Sequence, residues 1–144
     1  LRSLLTQEQQ RTALLSVRLL SLGEIYSNET FTTSVTIEPD ANIDTLGTDV
    51  QSELFYVCKE AVSNALKHSN GNKVDLSVGI DSSTGDIQLS IQDNGDGMDD
   101  VNLRSSGTRN MEKRMHRIGG AFSLENADVG GLRARATVSR LDHE

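Results

Sequence analysis

Apolar residues recur at Leu15, Leu19, Leu22 and Tyr26, with Leu14 and Ile25 beside them. This is the spacing of one helical face and predicts a helix over residues 6–26. Leu1 to Leu5 read as the tail of an earlier helix. Over residues 32–38 the pattern turns β-branched and alternating around Val35 and Ile37, a strand that Pro39 and Asp40 end. A long helix follows, capped by Asp49, running to about His68 and stopped by Asn70, Gly71 and Asn72. Its core stripe is Leu54, Val57, Cys58, Ala61 and Ala65. Val74, Leu76, Val78 and Ile80 alternate with polar residues, and Ile87, Leu89 and Ile91 do so again after a turn at 82–85, which predicts a hairpin. Residues 93–104 are acidic, glycine-containing and poor in apolar residues, the signature of a loop. Residues 108–118 read as a helix with Ser or Thr as its cap and Gly119-Gly120 as its end. Phe122 and Leu124 mark a short strand, and Gly130-Gly131 turn into a last strand over 132–141. This mixed order predicts an α+β fold, a two-layer α/β sandwich whose mixed sheet carries its helices on one face.

Composition narrows what such a fold does. The 144 residues are 35% hydrophobic, enough for one core and one domain over 1–144. Lys plus Arg number 14 and Asp plus Glu 21, a net charge of −7, which argues against nucleic-acid partners and against membrane contact. Aromatics are 3% with no Trp, so stacking platforms for single strands are not expected. The single Cys excludes an internal disulfide and a Cys-rich zinc site, and fits a reducing, cytoplasmic setting. No apolar run reaches the roughly 18 residues that a membrane helix needs. The first residue is Leu1 rather than Met, which suggests a piece of a longer protein, and whether that parent is membrane-anchored stays open.

Three stretches carry candidate chemistry. On the long helix, Glu60, Asn64, Lys67 and His68 fall within an arc of about 100°. A carboxylate, an amide oxygen, an ammonium and an imidazole so grouped suit a metal-bound polyphosphate, and equally an ordinary solvated helix face. The second stretch is Asp93-Asn94-Gly95-Asp96-Gly97, directly after a strand. There a carboxylate can accept a hydrogen bond from an exocyclic amine, and the glycines allow positive φ and close backbone approach. A glycine-rich turn reads the same way. A calcium loop does not fit, because the third and fifth ligand positions from Asp93 are Gly95 and Gly97 and the twelfth is Arg104. The third stretch, Ser105-Ser106-Gly107-Thr108-Arg109-Asn110-Met111, opens a helix whose N-terminus can hold an anion. Arg104, Arg109, Lys113, Arg114 and Arg117 make it the one locally basic region, which surface charge alone also explains.

Taken in order, Glu60-x-x-x-Asn64-x-x-Lys67-His68, Asp93-x-Gly95-x-Gly97 and Gly107-x-x-Asn110-Met111-x-x-Arg114 resemble the N, G1 and G2 boxes of the catalytic ATP-binding domain of two-component sensor histidine kinases. The nitrate-sensor and lipid-fluidity-sensor branch is the nearest in look. The resemblance covers nearly the whole chain and implies the Bergerat fold shared with gyrase, MutL and heat-shock ATPases. It implies ATP and Mg²⁺ as cofactors. Asn64 and Glu60 would hold the metal, and Glu60, Asn64 and Lys67 would form the catalytic set. Lys67 and His68 would meet phosphates and Asp93 the adenine amine. Gly95, Gly97 and Met98 would shape the base pocket, with Ser106, Gly107 and Thr108 near the phosphates. Residues 96–106 would be a short lid over the nucleotide.

The implied partners are a helical phosphoacceptor and dimerisation domain of the same kinase, and a response regulator downstream. The departures are Ser105 where a glycine is common, and Leu132 where a Thr usually follows the glycine that opens the last strand. A phosphoacceptor histidine is not evident. His68 sits in the N box, His116 inside a helix, and His143-Glu144 in the tail. Cys58 reads as an inert core residue, and the sequon at Asn28 carries no meaning in a cytoplasmic setting. Two alternatives stay open: an ATPase of the gyrase and MutL type with Glu60 as general base, and a serine kinase of the anti-sigma-factor type.

Overall fold

The computed structural model describes residues 13–104 and 108–140. In chain order the elements are α1 (Leu15–Ile25), β1 (Thr32–Ile37), two 3-10 turns (Pro39–Ala41 and Ile43–Thr45), α2 (Thr48–His68), β2 (Lys73–Ile80), β3 (Ile87–Asp93), α3 (Asp100–Arg104), α4 (Arg109–Arg117), β4 (Ala121–Asn126) and β5 (Leu132–Val138). The five strands form one mixed sheet in the order β1-β2-β3-β5-β4. β1 runs parallel to β2 and every other pair is antiparallel.

Alternation decides which face is covered. Val74, Leu76 and Val78 of β2, Ile87, Leu89 and Ile91 of β3, and Ala134, Ala136 and Val138 of β5 all point into the core. Their neighbours Lys73, Asp75 and Ser77 stay exposed on the other face. α1 packs on β1, α2 on β2 and β3, and α4 on β4 and β5, all closing over one core. The predicted α+β two-layer sandwich is therefore the observed architecture. Among the described residues no helix is long and apolar enough to cross a membrane.

Four differences from the sequence expectation stand out. α1 begins at Leu15, not near Thr6, because its first N–H groups are capped from elsewhere in the chain. The Leu15 N–H donates to Gln51 Oε1 at 2.9 Å, and the Ser16 N–H to Asp44 Oδ1 at 2.8 Å. Leu14 before it is extended, and residues 1–12 lie outside the described part. α2 begins at Thr48 with Gly47 as its cap, so Asp49 sits inside the first turn, where its charge favours the helix dipole. The expected loop at 93–104 contains α3, started by Asp99, whose Oδ1 accepts the Asn102 N–H at 2.8 Å. The last strand ends at Val138 rather than Leu141, which lies outside the described residues.

Candidate functional site

The C-terminal half of α2 forms one wall of a cleft of about 380 Å³. Glu60, Asn64 and His68, at i, i+4 and i+8, line it together with Ala61, Ala65 and Ser69. β3 contributes Ile91 and Asp93, β5 contributes Leu132 and Ala134, and β4 contributes Leu124. Gly97, Met98, Thr108 and Met111 complete the lining. Lys67 is exposed and stands outside this lining. The cleft-facing arc of α2 runs from Glu60 through Asn64 and His68 towards Ala65, and Lys67 falls about 20° beyond its Glu60 edge. Ser105, Ser106 and Gly107 lie outside the described residues, as does His143.

Among the described residues, Asp93 is the one charged residue that is buried. Its Oδ1 accepts two backbone N–H groups, from Gly95 at 2.9 Å and from Leu132 at 3.1 Å. Oδ2 makes no hydrogen bond among the described residues, so a buried, oriented carboxylate oxygen remains for a ligand. Gly131 makes this possible. Its φ is +85°, and a Cβ there would lie 2.0 Å from the Asp93 carbonyl oxygen. Leu132, which replaces the common Thr, thus supplies its backbone N–H to Asp93 and its side chain to the cleft lining.

The two glycines of the second motif act differently from one another. Gly97 takes the expected positive φ, at +73°. Gly95 does not. It is needed for close approach, because a Cβ there would lie 2.0 Å from the Ser69 carbonyl oxygen. Gly95 itself does not line the cleft. It belongs to a lock between the end of α2 and the loop after β3. The Asp96 N–H donates to the Ser69 carbonyl at 3.0 Å, and Asn70 Nδ2 to Asp96 Oδ2 at 3.0 Å. Asn94 Oδ1 accepts the N–H groups of Asn72 and Lys73, both at 3.0 Å. This lock sets Asn64 and His68 against Asp93. The sequence shows these asparagines only as turn formers, so their tertiary role was hidden.

The basic helix turns most of its described charge elsewhere. Arg114 Nη1 lies 2.8 Å from Glu53 Oε1, with its guanidinium carbon 3.4 Å from the Tyr56 ring centroid. Arg117 reaches the other oxygen of Glu53 at 3.5 Å. Arg109 and Lys113 are exposed and outside the cleft. Thr108 precedes α4 without a side-chain cap, and its hydroxyl donates to Glu112 Oε1 at 3.0 Å. His116 is exposed on α4. Cys58 is fully buried, and burial pushes its thiol pKa up to about 12. Among the described residues no three His, Cys, Asp or Glu side chains are grouped to hold a metal ion.

Comparison with known proteins places this geometry. Residues 49–140 match the family model described as histidine kinase-, DNA gyrase B-, and HSP90-like ATPase. The sensor histidine kinase LiaS of Bacillus subtilis is 32% identical over 106 residues, 72% of this chain and 29% of that protein. The sensor protein VraS of Staphylococcus haemolyticus is 36% identical over 97 residues, 65% of this chain and 27% of that protein. The chain thus spans under a third of the length of these curated relatives. In fold it is similar to the histidine kinase domain of a blue-light activated histidine kinase from Erythrobacter litoralis. The TM-score is 0.69 at 14% identity, over 86% of this chain and 58% of that one. The ATP binding domain of PrrB from Mycobacterium tuberculosis aligns with a TM-score of 0.50 at 29% identity, over 62% of this chain and 66% of that one. The chain belongs to the histidine kinase-, DNA gyrase B- and HSP90-like ATPase family.

Proposed function

We propose that residues 1–144 form a single catalytic domain that binds Mg-ATP and passes the γ-phosphate to a histidine on a separate helical dimerisation domain. The observation that carries this is the buried Asp93, with one oxygen fixed by two backbone N–H groups and the other unengaged, facing a helix wall of Glu60, Asn64 and His68 across one cleft. Asp93 Oδ2 accepts the adenine amine. Gly97 lets the backbone approach the base, Gly95 holds that loop against the end of α2, and Met98 lies beside the base. Asn64 and Glu60 offer one amide oxygen and one carboxylate. So small a donor set fits Mg²⁺, which takes its remaining ligands from water and phosphate oxygens. When bound, Mg²⁺ neutralises phosphate charge. His68 meets the phosphates from α2, and Lys67, at the edge of the arc, joins them once the nucleotide is in place. Thr108, just before α4, approaches them, and the family motif adds Ser106 and Gly107 to this set.

The chemistry is positioning and charge neutralisation. An imidazole nitrogen of the acceptor attacks Pγ, and the bond from Pγ to the β–γ bridging oxygen breaks. ADP leaves with the electron pair, and the imidazole proton passes to a base on the acceptor domain. The phosphoryl group then moves on to a response regulator. The work belongs on the cytoplasmic side, where ATP is available. The test supplies γ-labelled ATP and, in trans, the histidine-bearing helical domain of a related kinase. Acid-labile, base-stable label appears on the helical domain with the wild type and not with Asn64→Ala.

One observation favours a second outcome. Glu60 lines the cleft one turn before Asn64 and has no ion pair or hydrogen bond among the described residues, so it is available to activate water. Label released as inorganic phosphate, lost in Glu60→Gln, with none on the helical domain, would establish an ATPase instead.

A further inference from the structure

Asn126 ends β4 and is 28 positions from Met98 in sequence, yet its side chain holds the Met98 backbone at both polar atoms. The Met98 N–H donates to Asn126 Oδ1 at 2.9 Å, and Asn126 Nδ2 donates to the Met98 carbonyl at 2.6 Å. Two hydrogen bonds from one amide fix both the position and the direction of a peptide segment, where a single bond leaves it free to pivot. Gly97, just before, is shaped to this contact. At φ +73° it brings the chain so close that a Cβ would lie 2.5 Å from Asn126 Oδ1.

The same hairpin reaches the other side of the pocket. Asn126 pairs with Leu132 across β4 and β5. Leu132 is the residue whose N–H orients Asp93 Oδ1 at 3.1 Å. The turn between them is closed, with Ala127 N–H donating to the Gly131 carbonyl and Gly130 N–H to the Ala127 carbonyl, both at 3.0 Å. One rigid turn therefore sets two members of the cleft, the Asp93 carboxylate through a backbone N–H and Met98 through a side-chain amide. Asn126 itself does not line the cleft.

We propose that Asn126 is a positioning residue for the nucleotide base, acting through Met98 and without touching the ligand. This rests on the cleft being the adenine-nucleotide site. Asn126→Ala removes both bonds. Asn126→Asp keeps an acceptor for the Met98 N–H but sets a carboxylate oxygen against the Met98 carbonyl, so it holds less well than Asn. Gly85→Ala is the control. Its φ of +77° disfavours a side chain, yet a Cβ there meets nothing within 4 Å, so it strains the turn between β2 and β3 without touching Met98 or the cleft.

Two measurements test the proposal. The first is hydrogen exchange of the Met98 amide without nucleotide, which reads the clamp directly. The second is the affinity for Mg-bound AMP-PNP by calorimetry. Loss of two net hydrogen bonds that position the pocket predicts exchange and Kd each raised about tenfold or more in Asn126→Ala. Asn126→Asp should be intermediate, and Gly85→Ala should lower the melting temperature with Kd unchanged. Wild type that binds no AMP-PNP would overturn the nucleotide site itself. Wild type that binds, with Asn126→Ala binding equally well or weakened only as much as Gly85→Ala, would overturn the role of Asn126.

Discussion

At Gly131 and Asp93 the molecule places a bare backbone against a buried carboxylate, and the two cannot be changed independently. Gly131→Ala would force a Cβ to within 2.0 Å of the Asp93 carbonyl oxygen at a φ of +85°. The expected cost is about 3 kcal/mol or more from overpacking and left-handed strain together, read by urea unfolding. Cys58 offers a different residue-scale test. Its folded thiol pKa is raised from 9.0 to about 12 by burial, so the folded chain keeps a proton that the unfolded chain loses. The sign is fixed by that difference. Stability from this residue is intact below pH 9, then falls as pH rises towards 12, by up to about 1.4 kcal/mol per pH unit. Cys58→Ala should remove that part of the alkaline slope, and in the native protein the thiol should resist alkylation at pH 8. Asp93 was legible as a cleft candidate from its place at a strand end, where the structure buries it in the cleft lining. Asn126 was not, because an Asn before a turn looks the same whether or not its amide grips a distant backbone.

The joint between α4 and α2 is the clearest case at the level of elements. Glu53, with its side chain 15% exposed, takes Arg114 at 2.8 Å, and the same guanidinium lies over Tyr56. Arg114→Ala loses a charge-assisted bond and a stacking contact and leaves a largely buried carboxylate with only the weaker 3.5 Å contact to Arg117. The expected destabilisation is about 1–2 kcal/mol, read by urea unfolding, and Arg117→Ala should cost much less because its side chain is 62% exposed. Element identity was largely legible: period-2 alternation gave β2 and β3, and helical spacing gave the buried stripe of α2. The start of α1 was not, because its caps, Gln51 and Asp44, lie about 30 residues downstream. α3 was missed although Asp99 carries a recognisable cap, since five residues with few apolar positions make no periodic signal. Arg114 read as part of an anion site because sequence gives its charge but not its partner on another helix.

Over the whole molecule, a sheet covered on one face leaves a cleft where α2 meets the ends of β3 and β5. Its lining comes from segments far apart in sequence: Asn64 from a helix, Asp93 from a strand end, and Met98 from a loop pinned by a distant hairpin. Motif order identified the family without this geometry, because residue types at fixed spacing are what a shared ligand selects. What order could not supply was which residues face inward, as Lys67 and Gly95 illustrate. A ligand that binds only the folded chain must raise its unfolding midpoint by mass action. The most direct measurement is therefore thermal unfolding of the wild type, Asn64→Ala and Asp93→Ala, each with and without millimolar Mg-ATP. The account predicts a rise of several degrees in the wild type that both variants lose. An equal rise in all three proteins, or none in the wild type, would contradict it.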